Sequence, residues 1–219
     1  VFRRDGVNWV EEALLTGSDG DSGDGFGNAV AISNDRLLIG AYAHQGGCPL
    51  GADCGGAAFV FHLEGGSWVE EAKLMAPFNE RAHYFGYSVD LESGLAYVGS
   101  MASVNGYFEA GASYLFRQVG GSWWQVLKLT AFDPNTQNWF GSAASLSGDT
   151  LAVGSYRSEG AAGSVYMHAL AECLSPPIPP PIPTASSWGI VALTVLLGVA
   201  GTLLTRRAAG QFPQPSSHD

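Results

Sequence analysis

Positive charge is scarce in this chain. Ten of its 219 residues are Lys or Arg against twenty Asp or Glu, a formal net charge of −10. Over residues 1–172 the balance is eight against nineteen, a net of −11. Such a surface repels phosphate backbones, so nucleic acid is excluded as a partner; cations, basic partners or plain solubility remain. No soluble helix is expected, so no Gly-rich phosphate loop precedes one. His44, His62, His83, His168 and His218 fall in unrelated positions, none in a metal-ligand or triad-like local pattern. Cysteine is rare as well. Cys48 and Cys54 bracket a short Pro-Leu-Gly-Ala-Asp loop, which reads either as a local disulfide in an oxidising compartment or as two free thiols. A metal reading of that loop adds His44 alone and leaves no obvious fourth ligand. Cys173 finds no partner within the chain.

What the chain has is glycine, thirty of them, set in a repeat. Trp9, Trp68 and Trp123 recur at steps of 59 and 55 residues, and so do Phe26-Gly27, Phe85-Gly86 and Phe140-Gly141. Gly40-Ala41, Gly99-Ser100 and Gly154-Ser155 keep the same steps. A period of this size marks a repeat architecture, in which shared residues build the scaffold and only departures from the pattern carry a specific activity. Val1-Phe2 matches Val60-Phe61 and Leu115-Phe116, so the first residues read as the tail of a preceding repeat. A longer natural product with an export signal upstream is the expectation.

Each period holds four strand candidates bounded by Gly, Asn, Asp or Ser. They fall at residues 26–32, 36–42, 57–63 and 67–74, then at 85–91, 95–100, 112–118 and 123–130. The third set, 140–146, 151–155 and 164–169, stops one strand short, while an orphan fourth-type strand occupies residues 8–15. Four antiparallel strands per repeat describe a β-propeller blade. The fold class expected is therefore all-β: about three blades over residues 1–172, a fragment of a larger propeller because complete ones have four to eight. In a closed ring, residues 8–15 would complete the last blade. The glycines let backbones approach closely, the Phe of each Phe-Gly fills the gap between blades, and Tyr97, Tyr114 and Tyr166 are core residues.

Beyond residue 172 the character changes. Six prolines in residues 174–183 make a stiff linker within 173–187. Residues 188–205 carry no charge and precede Arg206-Arg207. As a helix they would span about 27 Å, enough for a bilayer core. One transmembrane helix is expected over 188–207, with Trp188 at one interface, the arginines on the cytoplasmic side and the blades outside. Residues 208–219 are a polar, disordered tail.

The three Phe-Gly and Gly-small stations, with Ile39, Val98 and Val153 ahead of the second glycine, resemble FG-GAP repeats, the units of integrin-like propellers and of many bacterial surface proteins. The run Ile182-Pro183-Thr184-Ala185-Ser186-Ser187-Trp188-Gly189 resembles a bacterial sorting signal that opens I-P-T-L-S-E-W-G and ends in arginines. Ala185 and Ser187 depart from its Leu and Glu. That resemblance implies retention in the membrane and processing by an exosortase-like transpeptidase.

The remaining chemistry is thin. Asp19, Asp21 and Asp24 stand on a Gly-containing loop just before Phe26, the oxygen-rich setting that Ca²⁺ favours. Integrin-like blades carry a calcium loop in this region. Here Gly23 takes the next alternate place and Asp24 is shifted by one, so a solvated acidic turn stands beside the calcium reading. Glu11-Glu12 and Glu70-Glu71 recur in the fourth strand, where neighbours point to opposite faces, and one of each pair is expected to face solvent. The expectation is a non-enzymatic exported repeat protein, anchored through its C-terminal signal and contacting an extracellular protein or polysaccharide through its loops, loop 45–56 foremost. An enzyme whose active residues lie in upstream blades, and calcium-dependent adhesion, are the alternatives.

Overall fold

The computed structural model describes residues 1–45, 55–77, 84–101, 109–134, 137–158 and 162–171. Every named element among them is a strand. A hairpin of β1 (Phe2–Asp5) and β2 (Asn8–Glu11) leads. The first blade is β3 (Phe26–Ser33), β4 (Arg36–Ala41), β5 (Ala57–Glu64) and β6 (Ser67–Leu74). The second is β7 (Ser88–Glu92), β8 (Leu95–Ser100), β9 (Ala112–Val119) and β10 (Ser122–Leu129). The third holds β11 (Phe140–Ser147), β12 (Thr150–Ser155) and β13 (Ser164–Ala169). Each sheet is an antiparallel meander in chain order.

The blades stack in series, each with a front face toward the preceding sheet and a back face toward the next. Leu38, Ala58, Val60 and Leu74 on the back of the first blade meet Phe85, Leu91, Val98 and Tyr114 of the second. Leu95, Tyr97 and Leu115 on the back of the second meet Phe140, Leu146, Leu151 and Tyr166 of the third. Burying side chains of this size is worth about 1.5–3 kcal/mol each, so the stacking faces hold most of the apolar stabilisation.

The Phe-Gly station explains itself at this level. Phe26 packs against Phe59 and Phe61, Phe85 against Tyr114 and Phe116, and Phe140 against Tyr166 and His168, with ring centroids 5.1–6.4 Å apart. The glycine that follows lies at φ +87°, +90° and +90° in the three copies, where a side chain would be strained. It turns the chain into the innermost strand, and the β3–β4 and β11–β12 ladders break beside it. In the second blade Phe85 stands outside the ladder, although residues 85–91 read as one strand. It forms a parallel bridge to Gly56 of the first blade instead, and β7 begins at Ser88.

The orphan strand expected over residues 8–15 is shorter, ending at Glu11, and pairs with β1 rather than with the third blade. Tyr97, Tyr114 and Tyr166 are core residues as expected. Burial pushes the Tyr97 phenol up to about 12, against the lowering effect of its hydrogen bonds to Ser113 and Ser88. Among the described residues no helix is long and apolar enough to cross a membrane; the expected span at 188–207 lies outside them.

Candidate functional site

The end of each blade where the first strand enters and the second strand leaves gathers the departures from the repeat. In the first blade, residues 17–25 fold back over β5 and β6. Gly17 permits this, because a side chain there would start 2.8 Å from the Phe59 ring. Ser18 donates through its backbone N–H and its Oγ to the Glu70 carboxylate, at 2.8 and 2.9 Å. Lys73 Nζ donates to Asp19 Oδ2 at 2.5 Å. Asp24 accepts from the backbone N–H of Asp21 at 2.8 Å and lies 2.7 Å from His44 Nδ1.

His44 is the centre of this arrangement. It is 2% exposed, sits edge-on to Phe59 and points Nε2 toward Asp19 Oδ1 at 3.7 Å. The hydrogen bond from Lys73 outweighs burial and holds the Asp19 carboxyl below its usual range. At Asp24 burial opposes ionisation, but the Asp21 N–H and His44 together lower its pKa. Of the three carboxylates read as candidate calcium ligands, the structure thus brings Asp19 and Asp24 together around one imidazole. Asp21 contributes a backbone N–H and an exposed side chain. Among the described residues no three His, Cys, Asp or Glu side chains are grouped to hold a metal ion.

Neither glutamate of the pair in β6 is left to solvent. Glu70 anchors Ser18, while Glu71 joins two blades by accepting from Arg36 at 2.9 Å and from Gln118 and Trp123 of the second blade. Local sequence carries no sign of either role, nor of His44, whose partner stands twenty residues upstream. The other expected site residues, Cys48, Cys54, Cys173, Ile182, Pro183, Thr184, Trp188, Gly189, Arg206 and Arg207, lie outside the described residues.

Beside the acidic loop runs a set of aromatics. Tyr42 packs against Tyr84 and Tyr87 of the second blade, at 5.7 and 6.2 Å between centroids. In the third blade Trp139 meets Tyr156 edge-to-face at 4.8 Å, donates from Nε1 to Glu109 at 3.1 Å, and carries the Arg157 guanidinium 5.0 Å over its ring. Tyr84 and Tyr156 are 41% and 51% exposed. The residue before each Phe-Gly is left-handed: Gly25 at φ +70°, Tyr84 at +54° and Trp139 at +55°. Gly25 has a reason, since a Cβ there would lie 2.6 Å from the Tyr42 ring. For bulky aromatics the same conformation stores strain of about 1–3 kcal/mol, and strain of this kind concentrates at functional surfaces. The signal in sequence was positional: an aromatic one place ahead of Phe-Gly in two copies of three. Chemically, the rim offers flat apolar faces bordered by a carboxylate and a guanidinium, suited to stacking on sugar rings or apolar side chains.

The FG-GAP repeat family matches the chain at residues 9–61, 68–116 and 123–168. No curated protein matches it significantly. Each matched stretch begins at the Trp of a fourth strand and ends on the third strand of the next sheet, so the sequence unit is offset from the blade it helps to build. These stretches take in well over half of the residues and carry all three Phe-Gly junctions: the chain belongs to the FG-GAP repeat family.

Proposed function

We propose that this chain is the binding part of an exported, non-enzymatic adhesion protein, an arc of a larger β-propeller whose rim contacts an extracellular polysaccharide or protein. The carrying observation is the contrast in how the residues are used. Those shared by the three copies are consumed in packing, whereas Tyr84, Trp139, Tyr156 and Arg157 occupy positions that differ among the copies and stand at the rim. A rigid sheet stack presenting variable rim residues is a common plan for recognition. The sorting-signal resemblance at residues 182–189 and the uncharged run before Arg206-Arg207 support display outside a membrane, with an exosortase-like transpeptidase as processing partner.

The test is retention of the chain on immobilised extracellular polysaccharide and protein matrices, compared with a Tyr84→Ala/Trp139→Ala/Tyr156→Ala variant. Loss of three stacking side chains should weaken retention by tenfold or more, since each aromatic contact contributes about 0.5–1.5 kcal/mol. Equal retention of both proteins removes the rim from the reading. Running the assay with millimolar Ca²⁺ and then with a chelator addresses Asp19, Asp21 and Asp24. Lys73 and His44 already engage Asp19 and Asp24, so the expected result is the same retention in both. A requirement for Ca²⁺ would move the reading to calcium-dependent adhesion.

A further inference from the structure

The hairpin turns that join β3 to β4, β7 to β8 and β11 to β12 lie at the end of the blades opposite the rim. At both junctions a cleft opens there between one blade and the turn of the next. The first, about 210 Å³, is lined by Asp35 and Arg36 and bordered by Ser93 of the second blade. The second, about 330 Å³, holds Glu92, Leu95 and Arg117 and is bordered by Gly148 of the third blade, the counterpart of Ser93. The first cleft lies between two complete four-stranded sheets, so such an opening belongs to the junction itself.

The two clefts differ in charge. In the first blade Ser33, Arg36, His62 and Val69 pair across the four strands as one row. Asp35 lies 2.9 Å from Arg36 and 3.2 Å from His62, and Glu71 meets Arg36 at 2.9 Å, so each basic side chain there has its acid. In the second blade the same row is Glu92, Leu95, Arg117 and Trp124. Arg117 stands where His62 stands, but Gly94 replaces Asp35 and Val126 replaces Glu71. Among the described residues no carboxylate lies within ion-pair distance of its guanidinium, although Arg117 is half-buried in a chain of net charge −10. Glu92, the acid of the row, accepts instead from the Gly148 N–H through Oε2 at 2.9 Å. Trp124, the lateral neighbour of Arg117, is 62% exposed.

We propose that this second cleft binds a carboxylated sugar, a hexuronate unit of an acidic polysaccharide. A guanidinium presents a planar fork of donors that grips a carboxylate through two parallel hydrogen bonds, and here that fork has no acid of its own. Trp124 is the cross-strand neighbour of Arg117, about 4.5–5.5 Å away between Cβ atoms, and offers a flat face for the sugar ring. The Oε1 atom of Glu92 is left to accept from ring hydroxyls. One forked donor beside one acceptor suits a unit that carries a single carboxylate among hydroxyls. A run of acidic side chains would instead meet the Glu92 charge. The volume falls within the roughly 300–1,000 Å³ usual for small-ligand clefts. None of these residues belongs to the rim, so this site and the rim reading stand or fall separately.

Calorimetric titration of the intact chain with tetramers of galacturonate, mannuronate and guluronate tests it. At least one should bind with a dissociation constant of about 1 mM or tighter. The methyl ester of that tetramer, and tetraglutamate, should bind about tenfold more weakly or not at all. Arg117→Gln should weaken binding by about tenfold or more, and Arg117→Lys, which keeps the charge but loses the fork, should fall between. Trp124→Ala should weaken it by about threefold or more. The Tyr84→Ala/Trp139→Ala/Tyr156→Ala variant should bind the tetramer as the parent does. Absence of binding by all three uronates, equal binding of the methyl ester, or an unchanged affinity in Arg117→Gln would overturn the proposal. So would tetraglutamate binding as tightly, which makes an acidic peptide the occupant, or loss of uronate binding in the rim variant with Arg117→Gln unaffected, which moves the sugar to the rim.

Discussion

The backs of the first two blades and the back of the third are built to one pattern and end differently. Ala58 and Val60 on the first blade, and Ser113 and Leu115 on the second, are at most 1% exposed. Their counterparts on the third, Val165 and Met167, are 70% and 65% exposed. Gly40 and Gly99 face a backbone oxygen of the next blade, while Gly154 has nothing nearer its missing Cβ than the Ala143 oxygen at 3.5 Å. The Gly-small step at the end of each second strand is thus an element of the junction, idle at Gly154, where no further sheet follows among the described residues. The sharpest way to break the comparison is one methyl group. Gly99→Ala drives a Cβ into the Gly141 carbonyl and should cost about 3 kcal/mol or more, or prevent folding. Gly154→Ala meets ordinary contact distances and should change stability by roughly 0.5 kcal/mol or less in chemical denaturation. Equal effects would mean that the junction geometry is wrong.

The Phe of the Phe-Gly station sharpens the same contrast from the front. Phe85 and Phe140 are fully buried between blades, whereas Phe26 borders an open apolar groove on the front of the first blade. Phe85→Ala should cost about 3–5 kcal/mol through lost transfer energy and an unrelaxed cavity. At Phe26 one side of the ring faces the groove, so fewer contacts are lost, and the cost should be about 1–2 kcal/mol lower. Comparable urea midpoints for the two variants would contradict the open-face account.

These contrasts show what was legible in the chain beforehand. The fixed spacing of Trp, Phe-Gly and Gly-small marks sheets and their order, because glycine at a crowded junction and an aromatic between sheets are demands of geometry that leave a local trace. Strand ends were less readable. Phe85 is drawn out of its ladder by Gly56 of the neighbouring sheet, and β2 ends at Glu11 although Glu12 and Ala13 still donate their backbone N–H groups to the Val1 carbonyl. At the candidate site the acidic loop was visible but its partners were not. His44 and Lys73 come from strands and turns twenty and more residues away, and only the fold makes them neighbours. The partners of Glu71 were hidden for the same reason, since two of its three donors belong to another blade.

The smallest expected effect lies inside the third blade, where His168 takes the place of Phe61 and Phe116 against the Phe-Gly aromatic. Among the described residues its buried Nε2 has no hydrogen-bond partner. Burial lowers the His168 pKa, because the charged ring loses solvent without gaining an acceptor. The unfolded chain, with an ordinary imidazole near 6.5, then binds a proton more readily than the folded one. Stability from this residue is whole above pH ~6.5, declines as the pH falls through that value, and is fully lost below the lowered folded pKa. His168→Phe should therefore flatten the pH dependence of melting between about pH 7 and 5, and restore the aromatic pairing of the other two blades. The carboxylates of Asp19 and Asp24 are held below their usual range and titrate beneath that window. Melting curves of the variant that keep the parental slope through that range would show that the third blade's imidazole is hydrated, and that its departure from phenylalanine has no energetic consequence.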